Sequence, residues 1–533
     1  MDCTTKQLSY KNTGYFSPMI VDYLQNAEAL KPFYAYPTSE AGLKESIKAR
    51  QQFSVNRIEL VEQLKKQYSS VEQSNKVAAN IELLLSDNTF TITTAHQNNI
   101  FTGPLYFIYK ILHAIKLAQY AKELYPQYNF VPVYYIGSED ADLEELNNIT
   151  ISGEKLVWKT RQTGAVGRMK IDKEITQLLH AIEGQVGVLP FGNEIIQLFR
   201  DCYTTGKDVQ TATFHFVNRL LGEYGIVVLL PDNALLKRQM QAIFKDDLLH
   251  QTASSIVADT LDKLDKAGYK AQANPREINL FYLKDSLRER IVQEGDEWQV
   301  INTAIRFTKE QLLQELTDFP ERFSPNVILR GLYQCTILPD IAFIGGGGEI
   351  AYWLQLKPLF DHYSIPYPVL VLRNSFLLVE KKWKEKIDKL QFEISDFFQS
   401  GESLLTKLVE RDSKNRVKLN GGLAEVEKLY EDFRKQALSI DTTLDKHVES
   451  LKTKAVYRLH ELEKKMLRAE KRKFTEQQQQ ITAIRNALFP GNSLQERKDN
   501  ISYYYGIWGK ELIEKLLDAS LTLEQEFVIL TAE

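Results

Sequence analysis

The stretch that most constrains the fold is residues 91–110, TITTAHQNNIFTGPLYFIYK. The β-branched run from Thr91 to Thr94 favours a strand. The polar residues His96 to Asn99 then break the apolar pattern. Pro104 suits the first turn of a helix, where a missing N–H costs nothing, and Thr102 before it is placed to cap that helix. Leu105, Ile108, Ile111, Leu112 and Ile115 follow at helical spacing. A strand that feeds a helix through a polar turn turns backbone N–H groups and a helix dipole toward an anion.

The same pattern recurs. Residues 130–136 form an apolar run of strand type that ends at Gly137, Ser138, Glu139, Asp140 and Asp142. Residues 225–230 read as a buried strand, and 341–344 as another that enters Gly345, Gly346, Gly347 and Gly348 and then a helix. A last strand from Val369 ends at Arg373 and Asn374. Strands at 91, 131, 226, 341 and 369 predict a five-stranded, mostly parallel α/β core, whose ligands belong outside the C-terminal strand ends. Between them, 278–283, 288–292 and 298–305 alternate as a small β-rich insertion. Thr308 is placed to cap a short helix over 309–316. The aromatic-rich residues 1–50 are expected to wrap onto the core.

From Phe376 glycine nearly vanishes and charge crowds in. From Leu423 to Met466 apolar residues recur in steps of three and four, a coiled-coil pattern. No Gly or Pro follows Gly422 until Pro490, so one continuous helix of about 100 Å is expected. The expected divisions are 1–150 and 331–375 for two parts of the core, 151–330 for a core strand with insertions, and 376–533 for the helical region and tail.

The chain has 533 residues and a net charge of −4, which gives no general attraction to nucleic acid or to an anionic membrane. No apolar run approaches the ~20 residues of a membrane helix. The opening residues 1–6 lack a signal-type apolar segment, and the three cysteines lack paired spacing. A cytoplasmic protein without a thiolate zinc site is expected.

The candidate residues cluster at strand ends. His96, Gln97 and Asn99 can donate to phosphate oxygens, and Thr102 can cap or bind. Glu139, Asp140 and Asp142 can hold an amine, a ribose hydroxyl or Mg²⁺. An acidic helix start is their simpler explanation. The four glycines let a ligand approach the backbone, and Glu349, Tyr352 and Trp353 start the helix beside them. The run is neither G-x-G-x-x-G nor a Walker A motif. Arg330 and Arg373 can each fix a carboxylate or phosphate, although a structural salt bridge is the commoner fate of a lone arginine.

Four motifs together resemble one family. Residues 96–106 (HQNNIFTGPLY), 137–145 (GSEDADLEE), 320–330 (PERFSPNVILR) and 341–353 (IAFIGGGGEIAYW) come in the order and spacing of the bacillithiol-biosynthesis cysteine-adding enzymes, also called cysteine ligases. This chain has Ala95 where members commonly have Gly, and Gly331 where they often have Pro. The resemblance covers nearly the whole chain. It implies a Rossmann-like parallel-sheet core related to class I aminoacyl-tRNA synthetases, with connecting insertions and a C-terminal α-helical coiled coil that makes a homodimer. The implied reaction joins the cysteine carboxyl group to the amine of glucosaminyl-malate.

ATP would activate the carboxylate, with Mg²⁺ as a further candidate and no zinc. His96 and Asp140 would be catalytic. Gln97, Asn99, Thr102, Gly103 and Gly345 to Gly348 would line the nucleotide. Glu139, Asp142, Arg330, Glu349, Tyr352, Trp353, Arg373 and Asn374 would meet the substrates. The rival expectations are another ATP-dependent ligase or adenylyltransferase of the same fold, and a nucleotide-binding coiled-coil scaffold.

Overall fold

The computed structural model describes residues 2–415 and 418–533. The chain divides into two compact units, Met1–Leu378 with Ser493–Glu533, and Val379–Asn492. In the first unit five strands form one sheet. In spatial order they are Val369–Leu372, Asp340–Gly345, Thr89–Gln97, Asn129–Gly137 and Val227–Leu229, and every pair is parallel. These are the five runs read from the sequence. Register brings Thr94 beside Ile344 and Gln97 beside Gly137, so the polar turns emerge along one edge.

The helix Tyr106–Leu124 crosses behind this sheet, and most of its residues are buried. Its Ala114, Leu117 and Ala121 share a core with Phe90, Ile92, Ile341, Ile344, Val369 and Val371. Burying large apolar side chains of this kind contributes ~1.5–3 kcal/mol each. Residues 2–50 do pack onto the core. Tyr23 Oη donates to the Leu370 carbonyl, and buried Arg50 donates to the carbonyls of Cys335, Asp340 and Pro366. The strand Cys3–Ser9 pairs antiparallel with the tail strand Glu526–Ala532.

The insertion is a five-stranded antiparallel sheet, from Arg306–Thr308 at one edge to Phe323–Pro325 at the other. Thr308 caps the helix Lys309–Asp318 through a reciprocal pair with Gln311, as its position predicts.

Two expectations are corrected. Thr102 does not cap the crossing helix, which begins at Tyr106. Phe101, Thr102 and Gly103 all take left-handed backbone angles and double the chain back before the helix starts. The long C-terminal helix is also interrupted. In the second unit, Asn420–Ile440 ends at Asp441, which is extended, and a new helix runs Asp445–Lys471. Asp441 accepts from Thr443 N at 2.8 Å, so a cap signal stops a pattern whose apolar spacing continues. The two helices pack on each other, with Arg434 bonded to Asp445 and Lys452 to Glu431. No helix among the described residues is long and apolar enough to cross a membrane.

Asp340, at the start of its strand, gives a pH test of the core. It is buried, and it accepts from Thr91 at 2.9 Å, Thr93 at 2.5 Å and Gln334 at 2.6 Å. Burial nevertheless raises its pKa to about 6. An acid whose folded pKa lies above its unfolded value gives stability at low pH that is lost as pH rises through the folded value. Asp340→Asn should therefore gain up to about 3 kcal/mol relative to the parent chain between about pH 4 and 7. Urea denaturation across that range measures it, and a constant difference would exclude the buried ionisation.

Candidate functional site

A cleft of about 760 Å³ opens at the carboxyl ends of the sheet strands. The strand Thr89–Gln97 supplies Ala95, His96 and Gln97, and the strand Asn129–Gly137 leads into Asp140, Asp142 and Glu145. The glycine turn supplies Gly346, Gly347 and Gly348, followed by Glu349 and Tyr352. Arg330 comes from the helix Val327–Ile337, and Arg373 from the end of the last sheet strand. Sequence segments almost 300 residues apart thus face one space because parallel strands share one carboxyl edge.

Charge is paired across this cleft. Arg330 embraces Asp140 with both terminal nitrogens, Nη1 at 2.9 Å, and Arg288 lies 3.8 Å from the same carboxylate. Burial pushes the Asp140 pKa up, but Arg330, Arg288 and Gln97 outweigh it and hold the carboxyl below its ordinary value. A second cluster joins the glycine turn to the His96 strand. The Lys110 side chain is 1% exposed, and its Nζ donates to the Ala95 carbonyl and to Glu349 at 2.6 Å. Glu349 also accepts from Gly346 N at 2.8 Å. A Cβ added at Gly346 would stand 3.4 Å from Glu349 Oε2 and 3.6 Å from Arg373 Nε. The turn therefore threads between an acid and a base.

Arg373 is buried. Its Nη1 donates to the Asn374 carbonyl and Ser375 Oγ, its Nη2 donates to Glu496 at 2.7 Å, and its guanidinium lies over the Tyr106 ring. Glu496 also accepts from Phe376 N. His96 packs edge-on against Tyr106. Burial, then Lys110 and Arg373, push its pKa well below the ordinary value, so it is a neutral imidazole.

Not every candidate reaches the cleft. Glu139 points behind the strand end to buried Lys237, which also lies 3.8 Å from Asp232. Trp353 stacks on Phe343 in the core at 4.5 Å, because its helix turns that face inward. Asn374 is buried and donates to the Leu521 carbonyl. Gly345 is packed against Phe343, whose ring a Cβ would meet at 2.8 Å. Asn99, Thr102 and Gly103 lie in the buried turn beneath, where Asn99 Nδ2 donates to the Glu145 carbonyl. Buried His96 Nε2 and Thr102 Oγ1 have no hydrogen-bond partner among the described residues.

Conversely, sequence reasoning missed Tyr106, Gln272, Phe281, Arg288, Asn326 and Arg497, all of which line the cleft. It also missed Lys110 beneath it. Lysine on an otherwise apolar helix face was the available signal for the last. Among the described residues, no group of three or more His, Cys, Asp or Glu is arranged to hold a metal ion.

Comparison with known proteins identifies the family. Residues 1–374 match the family model described as "Bacillithiol biosynthesis BshC, N-terminal Rossmann-like domain", and residues 376–532 match "Bacillithiol biosynthesis BshC, C-terminal coiled-coil domain". The chain is 41% identical to the "Putative cysteine ligase BshC" of Flavobacterium johnsoniae, covering 99% of both chains. It is 31% identical to the protein so named in Chlorobaculum tepidum, covering 86% of this chain and 85% of that one. A crystal structure described as a putative arginyl-tRNA synthetase from Campylobacter jejuni aligns over 85% of this chain at 10% identity, with a TM-score of 0.21, too low to bear on the fold. With both domain models matched in order and a relative 41% identical over 99% of each chain, the chain belongs to the BshC family of bacillithiol biosynthesis.

Proposed function

We propose that the chain is an ATP-dependent ligase that joins the cysteine carboxyl group to the amine of glucosaminyl-malate. The observation that carries this reading is the strand-end cleft, where the Asp140–Arg330 pair faces the glycine turn and the His96 strand end. A carboxylate acylates poorly until it carries a leaving group, and ATP supplies one. The residues present suit a nucleotide. Gly346 to Gly348 carry no side chains into the cleft, while Gln97 and Arg497 offer donors along it.

His96, neutral and with Nε2 unpartnered among the described residues, serves as donor or acceptor without adding charge. Asp140 stays ionised and orients the attacking amine, with Asp142 beside it, and both carboxylates lie at the same strand end should Mg²⁺ accompany the nucleotide. Arg373 holds the dicarboxylate arm. Arg330 acts on substrate only through Asp140. Cysteine, glucosaminyl-malate and ATP incubated with the full chain should yield bacillithiol by mass spectrometry. Tight ATP binding without turnover of this or any other acid and amine would instead identify a scaffold.

The active form is a homodimer made by the helical unit. Support comes from its exposed apolar side chains, among them Phe433, Ile440, Leu451, Tyr457 and Leu462, which recur along the two long helices. An exposed apolar stripe of this kind is a contact surface. Deleting residues 423–490 should give monomers in light scattering, and persisting dimers would refute this assembly.

A further inference from the structure

The turn after the strand Thr89–Gln97 carries three consecutive left-handed residues, Phe101 at φ +47°, Thr102 at +70° and Gly103 at +64°. Glycine adopts such angles freely, whereas phenylalanine and threonine do so only when the surroundings over-determine them. The turn is also packed from its own polar side. A Cβ at Gly103 would stand 2.6 Å from the Asn99 Cβ. Inside the turn, Gly103 N donates to the Ile100 carbonyl at 3.0 Å.

The strongest restraint comes from 397 and 399 positions further along the chain. Asn500 is fully buried, and its Nδ2 donates to the Phe101 carbonyl at 2.9 Å and the Gly103 carbonyl at 2.6 Å. Both oxygens belong to the left-handed residues. Next to this clamp, Leu105 N donates to the Asp499 carbonyl at 2.8 Å, and Pro104 forms an antiparallel bridge with Asn500. Asn500 is itself held firmly. Its N donates to the Thr150 carbonyl at 2.9 Å, and its Oδ1 accepts from Ser502 N at 3.0 Å to cap the helix Ile501–Trp508.

We propose that Asn500 is a positioning residue for the nucleotide side of the cleft. It fixes the left-handed backbone at 101–103 and thereby sets His96 and Gln97, four and more residues upstream, for the triphosphate. This rests on the ligase reading above. Only an amide fills the role, because two carbonyls must be met by two donors on one atom while the same side chain offers an acceptor to Ser502 N. Serine keeps the helix cap but has neither the reach nor the second donor.

The test compares the full chain with Asn500→Ser, and with Asn500→Ala as a second variant. Hydrogen exchange of the peptide covering residues 96–105 should quicken at least tenfold in both. The KM for ATP should rise about tenfold, with the KM for glucosaminyl-malate within twofold of the parent value and the melting temperature little changed. Unchanged exchange would overturn the clamp. Faster exchange with an unchanged ATP KM, or with both KM values and the melting temperature shifting together, would overturn the positioning role. If the parent chain makes no bacillithiol, the ligase reading fails separately, and protection of residues 96–105 by a non-hydrolysable ATP analogue still decides the matter. That protection should appear in the parent chain and weaken in Asn500→Ser, and protection equal in both would overturn the proposal.

Discussion

Lys110→Met is expected to reduce kcat/KM at least a hundredfold and to destabilise the chain by about 3 kcal/mol. Lys110 reaches up from the crossing helix and joins two neighbouring strand ends through the Ala95 carbonyl and Glu349. Burial lowers its pKa, while Glu349 favours the charged form. Methionine matches the stem and removes the charge. The Ala95 carbonyl then loses its donor, and the Glu349 carboxylate loses its cation. Removing one member of a buried ion pair costs ~3–5 kcal/mol because the other charge is left behind. Glu349 is 24% exposed, and water reaching it sets the expected value at the low end of that range.

The activity loss follows from geometry. Glu349 also accepts from Gly346 N, so freeing it loosens the turn that borders the cleft. Displacements of ~1 Å near reacting groups cost ~10²-fold in rate. Urea denaturation and turnover measure the two effects, and the double variant with Glu349→Gln should recover part of the stability but not the activity. Parent-like turnover in Lys110→Met would show that the glycine turn is not part of the working site.

The sheet was legible because each of its five strands is a short apolar or β-branched run that ends abruptly in polar or glycine residues. That contrast marks both the strand and its carboxyl end. The cleft was legible for the same reason, since strand ends of one parallel sheet share an edge. What escaped reading is carried by residues whose partners lie far along the chain. Nothing near Asn500 or Glu496 in sequence announces Phe101 or Arg373 as a partner.

Arg288 is one of several charged residues in an alternating insertion, and only the fold turns it toward Asp140. The left-handed turn at 101–103 was misread as a helix start because Thr-Gly-Pro satisfies the local rules for a cap and a first turn. The break at Asp441 was misread for the opposite reason. Its cap signal is short, and the apolar spacing on both sides continues in step, which outweighs three residues when periodicity is the measure. In both places polar bonds to the backbone set the geometry, from distant Asn500 at 101–103 and from the Asp441 side chain at the helix break.

Asp140→Asn tests the other pole of the cleft. It should lower kcat/KM by about 10²–10³-fold, within the range of general acid–base and orienting carboxylates. It should also cost about 2–4 kcal/mol of stability at neutral pH, since Arg330 and the largely buried Arg288 are left facing a neutral amide. The pH dependence separates this charge effect from a simple loss of packing. The Asp140 pKa is held below its ordinary value, so the stability it provides is present above the unfolded pKa and lost as pH falls through the folded one. The difference between parent and Asp140→Asn should stay flat from about pH 5 to 8 and shrink below about pH 4. A packing defect would persist unchanged into acid.

Arg330→Lys sharpens the point. It keeps a cation but loses the two-pronged hold on Asp140, so it should retain most of the stability and still lose activity. If instead Asp140→Asn turned over like the parent chain, the paired carboxylate would be structural. The attacking amine would then have to be held by Asp142 or Glu145, the remaining acids at that strand end that face the cleft.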